Sequence, residues 1–270
     1  MNLRCIAVLG LGIVLLAMVV ELVRVSKEHS PTVNGLPISK WLRSPRSYEL
    51  GAVAQAGTNA IPVLARLVRA HDVIPFQWSM RIWNVLPRSL RLKVRPPVAA
   101  SDLRREALLA LRGFGPEAQP ALGVVIEAAT KDSDIMNWSF ARQAAVAINA
   151  NDPRVLALLE QDLRSSHPVT RSSPLAALCY AATFPRPLTN LIALDPHDRN
   201  QVLFSELLAL GTLGPDVAPF VPRIVPFLSD DSTRMNALTA LQRAGPGAAA
   251  AVPALIVCLR VPEGRSRRSS

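Results

Sequence analysis

A glycine-proline step between two apolar helical stretches recurs along this 270-residue chain, and it limits what the chain can fold into. The clearest copy runs from Asp231 to Leu259. Its first half places Met235, Leu238 and Leu241 on one helical face, Gly245-Pro246 stops that helix, and a second apolar run opens after Pro253. Glycine admits the left-handed backbone that ends a helix, and proline, lacking an amide hydrogen, suits the first turn of the next one. A helical hairpin is therefore predicted. Neither of its helices buries an apolar stripe alone, so copies have to stack.

The same grammar appears upstream. Gly214-Pro215 follows the apolar helix Leu203 to Leu210 and precedes a second apolar run to Leu228, 31 residues before the Gly245 copy. Gly115-Pro116 follows Leu103 to Leu111, and Gly57-Thr58 follows Leu50 to Ala56. The 99 residues between Gly115 and Gly214 leave room for two degenerate copies. Candidates are Phe140 to Ile148, broken by Asn151-Asp152-Pro153, and Leu175 to Ala182, broken at Pro185. Few strand signals are present, so the expected class is all-α.

The repeat resembles the HEAT family in its short bacterial form, where Gly-Pro-x-Ala precedes Val-Pro-Ala-Leu and an arginine opens the next helix. The likeness is strongest at Gly245 to Leu255 and Gly214 to Leu228. It implies an α-solenoid of about six HEAT-like hairpins over residues 46–260, with the second helices lining a concave side. Trp41-Leu42 followed by Gly57-Thr-Asn-Ala-Ile-Pro62 is also similar to a HEAT-containing group of exported or membrane-anchored bacterial proteins. That similarity implies a fold and not an activity.

The N-terminus adds a separate constraint. Cys5 to Val20 is an unbroken run of sixteen small and aliphatic residues, which something apolar must accept. No small-x-small cleavage pattern follows it, because Glu21-Leu-Val-Arg-Val occupies that position. Residues 1–25 are therefore expected to be an uncleaved signal-anchor, with a cleaved signal or a packed hydrophobic helix as alternatives. Residues 5–23 would anchor the chain, with the repeats extracytoplasmic, although Arg4 against Arg24 and Lys27 leaves the orientation weakly determined. Residues 26–45 read as a polar linker and a short helical cap, in which Trp41 is expected to cover the first repeat. Residues 261–270 read as a basic disordered tail.

One segment breaks the period. The insertion 73–100 interleaves Phe76, Trp78, Met80 and Trp83 with Arg81, Arg88, Arg91, Lys93 and Arg95. If helical, it places Phe76, Met80, Trp83, Leu90 and Val94 on one face and Arg81, Arg88, Arg91 and Arg95 on another, with Pro87 as a possible kink.

Charge follows the same division. The formal net charge is +10, and residues 40–112 carry thirteen Lys and Arg against four acids. A solvated arginine face accounts for this, as does attraction to an anionic membrane surface; nucleic acid fits less well, since no readout motif is present.

No catalytic constellation is legible. His29, His71, His167 and His197 are isolated from one another, and Cys5, Cys179 and Cys258 lack the spacing of a zinc site or disulfide framework. Asp102, Asp134 and Asp231 stand where helix caps are expected, and Asp230-Asp231 and Asp195/Asp198 fall in loops where capping explains them. No cofactor or metal site is expected. The expectation is a non-enzymatic, membrane-tethered or exported scaffold that binds an unknown protein or peptide. Arg66, Arg69 and Arg223 of second helices, with Trp78, Arg81, Trp83, Arg88 and Arg91 of the insertion, are the candidate contacts. Two rival readings rest on the resemblance alone: a HEAT-type bilin lyase-like enzyme, and a basic HEAT-like DNA-binding protein.

Overall fold

The computed structural model describes residues 32–33, 36–37, 56–72, 74–91, 96–181, 185–195 and 200–260. The expected anchor, the Trp41 cap, the helix Leu50 to Ala56, residues 73 and 92–95 of the insertion and the basic tail lie outside these residues, apart from Ala56 itself. Within the stretch read as a linker, Thr32–Val33 and Leu36–Pro37 form a two-residue antiparallel pair with Val33 opposite Leu36. Every other regular element among the described residues is helical. The helices are α1 (Ile61–Val68), α2 (Phe76–Val85), α3 (Arg88–Arg91), α4 (Ala100–Phe114), α5 (Leu122–Lys131) and α6 (Ile135–Asn149). They continue as α7 (Pro153–Leu163), α8 (Pro168–Leu178), α9 (Asn200–Gly211), α10 (Val221–Ile224), α11 (Arg234–Ala244) and α12 (Val252–Arg260).

The glycine-proline steps do what their chemistry predicts. Gly115 and Gly245 end α4 and α11 at φ 55° and 54° with ψ near −130°, a corner that a side chain opposes. A 3-10 run follows each, Gly115–Ala121 and Gly245–Ala251, and leads into α5 and α12. Gly214 repeats the corner after α9 and opens the run Gly214–Phe220. Its second helix α10 is short and passes into a further 3-10 run, Val225–Leu228. The cause is Pro226, which lacks the amide that would bond to the carbonyl of Pro222. Two of the intervening apolar stretches are helical, Phe140 to Ile148 within α6 and Leu175 to Leu178 within α8. After the first of these Asp152 replaces glycine, its carboxylate accepting from the Arg154 amide at 2.9 Å as an N-cap. After α8 the 3-10 run Arg186–Leu191 stands in place of a second helix.

Packing follows chain order. Helix α1 lies on α4, and then α4 on α6, α6 on α8, α8 on α9 and α9 on α11. Helix α5 packs on α6, and the run Gly214–Phe220 lies against Gly245–Ala251. The core is one continuous cluster from Ala60 to Ala251 in which alanines (Ala107, Ala144, Ala177, Ala240) alternate with leucines (Leu108, Leu111, Leu175, Leu210). Alanine lets neighbouring helices approach closely, while each fully buried leucine contributes about 1.5–3 kcal/mol. On α11 the buried residues are Ala237, Ala240, Leu241 and Ala244, whereas Met235 is exposed. The expected Met235–Leu238–Leu241 face is thus displaced by close approach: a Cβ on Gly211 of α9 would stand 3.2 Å from the Ala240 Cα.

Arginines fasten the ends of second helices. Arg104 donates to the Ala70 carbonyl at 2.9 Å and to Asp132 at 2.8 and 3.1 Å. Arg142 donates to the Ala129 carbonyl and to both carboxylate oxygens of Asp162, and its guanidinium lies 3.5 Å from the Trp138 ring centroid. Arg234 donates to the Leu228 carbonyl at 2.9 Å. Each cation meets carbonyls left open at a helical terminus. Burial lowers the Arg142 pKa and Asp162 opposes that shift. By length and composition Arg234–Leu259 is apolar enough to cross a membrane. The chain turns at Gly245, however, so this stretch forms α11 and α12 as two separate helices.

Candidate partner-binding surfaces

The insertion is closed at its base. The Asp72 carboxylate accepts from the Ala100 amide at 2.9 Å, so the two ends of a 28-residue excursion meet. Inside it, Ser79 Oγ donates to the Phe76 carbonyl at 2.7 Å within the first turn of α2. The helix stops at Leu86, whose ψ of 137° is set by the following Pro87. Instead of one continuous helix the insertion is therefore two, α2 and α3, and this separates Arg88 and Arg91 from the register of Arg81. Val94 and Arg95 lie outside the described residues.

No residue of α2 is fully buried, and no described helix lies along it. Phe76, Met80 and Trp83 are half-buried on one side. On the other, Trp78 is 58% and Val85 84% exposed, with Arg81 between them at helical spacing and Arg88 exposed just past the break. The Arg81 guanidinium sits 5.7 Å from the Trp78 ring centroid, and that of Arg91 sits 5.6 Å from Trp83. Such pairs contribute about 0.5–1 kcal/mol where exposed. Trp83 Nε1 and Arg91 Nε are occluded without an acceptor among the described residues. Between Asp72 and Asp102 the sequence holds five basic side chains and no acid.

The second-helix arginines divide into two situations. Arg66 is exposed on α1 and Arg69 at its C-cap. Arg66 Nε donates to the Pro62 carbonyl at 3.4 Å, and Arg69 donates to Glu127 of α5 at 3.1 and 3.2 Å. These bonds, with that from Lys131, hold the Glu127 carboxyl below its ordinary range. Arg69, Arg104, Glu127, Lys131 and Asp132 line a shallow depression of about 340 Å³ between α1 and α5. Arg223 serves differently: it donates to the Ile192 carbonyl at 3.2 Å and to that of Ala193. From the other side the buried Glu206 carboxylate accepts from the Ala193 and Leu194 amides at 3.2 and 3.0 Å. Together they clamp a loop in which Leu194 takes φ 48°.

A further surface escapes sequence reading. Leu238, Leu241, Ala248, Val252 and Leu255 line an open apolar hollow of about 410 Å³. Counting back 31 residues gives Leu207, Leu210, Val217, Val221 and Ile224, all buried under the following hairpin. That offset is the available signal: in the later set Val252 is exposed and Leu238 and Leu255 are only half-buried.

No family model matches the chain, and no curated protein matches it. The described residues bring no three of His, Cys, Asp and Glu together as a metal site would require. His71 is exposed in a loop and His167 precedes α8; His29 and His197 lie outside the described residues. Cys179 and Cys258 are half-buried and bond weakly to the Leu175 and Leu228 carbonyls, and burial pushes the Cys179 thiol up. The aspartates are largely structural. Asp134 caps α6 by accepting from the Met136 and Asn137 amides at 2.9 and 3.1 Å. Asp230 gathers Ser232 and Thr233 into a turn that depresses its pKa, the Ser232 hydroxyl contributing most. Asp102 lies inside the first turn of α4, paired with Arg105, while Asp72 does the capping; Asp231 pairs with Arg234 at 2.6 Å.

Proposed function

We propose that this protein is a non-enzymatic interaction scaffold: an α-solenoid of about six HEAT-like hairpins, tethered to a membrane through residues 5–23, with its repeats on the extracytoplasmic side. The observation that carries the reading is the file of first helices, α4, α6, α8, α9 and α11, each packed on the next in chain order. Stacking of that kind leaves an extended flank rather than one enclosed centre. An acidic segment of a protein partner is the occupant suited to the α1–α5 flank, where Arg66, Arg69 and Lys131 stand exposed. Its carboxylates would compete with Glu127 for Arg69, and the depression beside Arg104 would receive its backbone.

The test is a photo-crosslinking residue at position 66, installed in the full chain in cells. One defined partner should be captured at 66, and its capture should fail in an Arg69→Glu chain that unfolds at the same temperature as the parent. Capture of nothing at 66, combined with turnover of a substrate by the purified protein, refutes the scaffold reading.

A further inference from the structure

Among the described residues, the insertion brings exposed aromatic and basic side chains together on one helix. We propose that the outward stripe of α2, Trp78, Arg81 and Val85, continued by Arg88, docks on the headgroup region of an anionic lipid leaflet. This rests on the membrane-tethered reading only in placing the chain near a bilayer.

Three observations point there. Apolar and cationic side chains interleave on the same stripe, so the surface that receives them has to be apolar and anionic within one residue's reach. The boundary between acyl chains and phosphates is such a surface: indoles settle at headgroup depth and arginines reach the phosphates. The shape agrees, because α2 is a ridge with no described helix along it, and both hollows described above lie elsewhere. Charge agrees as well, since five basic residues and no acid separate Asp72 from Asp102, and each basic side chain near an anionic leaflet strengthens attachment roughly fivefold. The Asp72–Ala100 bond at the base, 2.9 Å long, holds the ridge to the repeats, so docking would fix the whole array against the membrane.

The experiment uses the full chain in lipid nanodiscs of two compositions, phosphatidylcholine alone and phosphatidylcholine with about one third phosphatidylglycerol, with hydrogen-deuterium exchange read over residues 74–91. Exchange should be slower in the anionic discs only. Arg81→Gln and Arg88→Gln should each cut that added protection roughly fivefold, and Trp78→Ser should also reduce it while exchange in α4 to α11 stays unchanged. Equal exchange in the two compositions overturns the proposal. So does protection that appears only when an acidic peptide such as polyglutamate is added, which would make the ridge a protein-docking surface instead. Retention in neutral discs reports on the anchor separately: a chain that leaves neutral discs but binds anionic ones defeats the anchor and supports the docking.

Discussion

Replacing Gly247 with alanine tests how closely the hairpins are stacked. An ideal Cβ at this position would lie 2.5 Å from the Pro215 carbonyl oxygen, 2.7 Å from its Cα and 2.9 Å from its carbonyl carbon. All three atoms are backbone, so no side chain can swing aside. The run Gly245–Ala251 has to move away from Gly214–Phe220, opening the contact between two successive turns. Overpacking of this kind costs about 1–3 kcal/mol. For a chain of this size each kcal/mol shifts Tm by roughly 2–4 °C, so a fall of about 2–12 °C is expected. The control is Gly113→Ala: Gly113 lies within α4, takes no positive φ, and a Cβ there meets nothing within 4 Å. It should leave Tm unchanged or raise it, because alanine reduces the freedom of the unfolded chain by about 0.4–1 kcal/mol. Thermal unfolding followed at 222 nm compares both variants with the parent. Exchange in α12 should rise in Gly247→Ala before it rises in α4. A Gly247→Ala protein as stable as the Gly113→Ala protein would refute this account of the stacking.

Removing one member of the buried pair, in Arg142→Met, should cost about 3–5 kcal/mol because Asp162 is left charged and buried, while Arg142→Met with Asp162→Leu should recover most of the loss; denaturant unfolding decides. The pH dependence follows from the depressed carboxylates Glu127, Asp152 and Asp230. Their stabilisation is fully present above the ordinary carboxylate range and is lost as pH falls through it toward their lower folded values, so Tm should drop on acidification, and Asp152→Asn should flatten that drop. Glu106 has the opposite sign: burial, chiefly, raises its pKa, so its contribution is present below the ordinary value and lost as pH rises through the raised one. Glu106→Gln should accordingly raise Tm at neutral pH. Cys179 should react with a thiol reagent at neutral pH more slowly in the folded protein than in urea, because burial raises its pKa; equal rates would contradict the placement of α8.

Local backbone chemistry was legible in the sequence, and long-range partnerships were not. The glycine-proline steps at 115, 214 and 245 translated directly into corners at φ 54–57°, because few other residues accept that conformation. The helices over Phe140 to Ile148 and Leu175 to Leu178 are legible from apolar spacing alone, and Asp134 is recognisable as a cap since its partners lie two and three residues on. Asp72 was not, because the amide it caps belongs to Ala100, beyond the whole insertion. Met235 was misplaced by hydropathy: where α9 and α11 approach closely the buried positions go to small residues, and the larger side chain turns outward. Arg223 was grouped with Arg66 and Arg69 by its position on a second helix. Its bonds to the Ile192 and Ala193 carbonyls, beside the 3-10 run that follows α8, lie 31 and 30 residues away, where spacing does not announce them. The spacing set Arg81 on an arginine face without pairing it to Trp78, and the break at Leu86 that sets α3 apart depends on how firmly Pro87 directs its neighbour.

The hydrogen bond between Asp72 and Ala100 ties the two ends of the insertion together, and this suits it to exchange as a module. Whatever sequence spans those two residues must leave and return at one point on the α1–α4 seam, so its length and content can change without shifting a single helix of the file. Loops of different reach or charge could be swapped in at that point, turning the same helical body toward different surfaces, provided an acceptor at 72 and the start of α4 are kept.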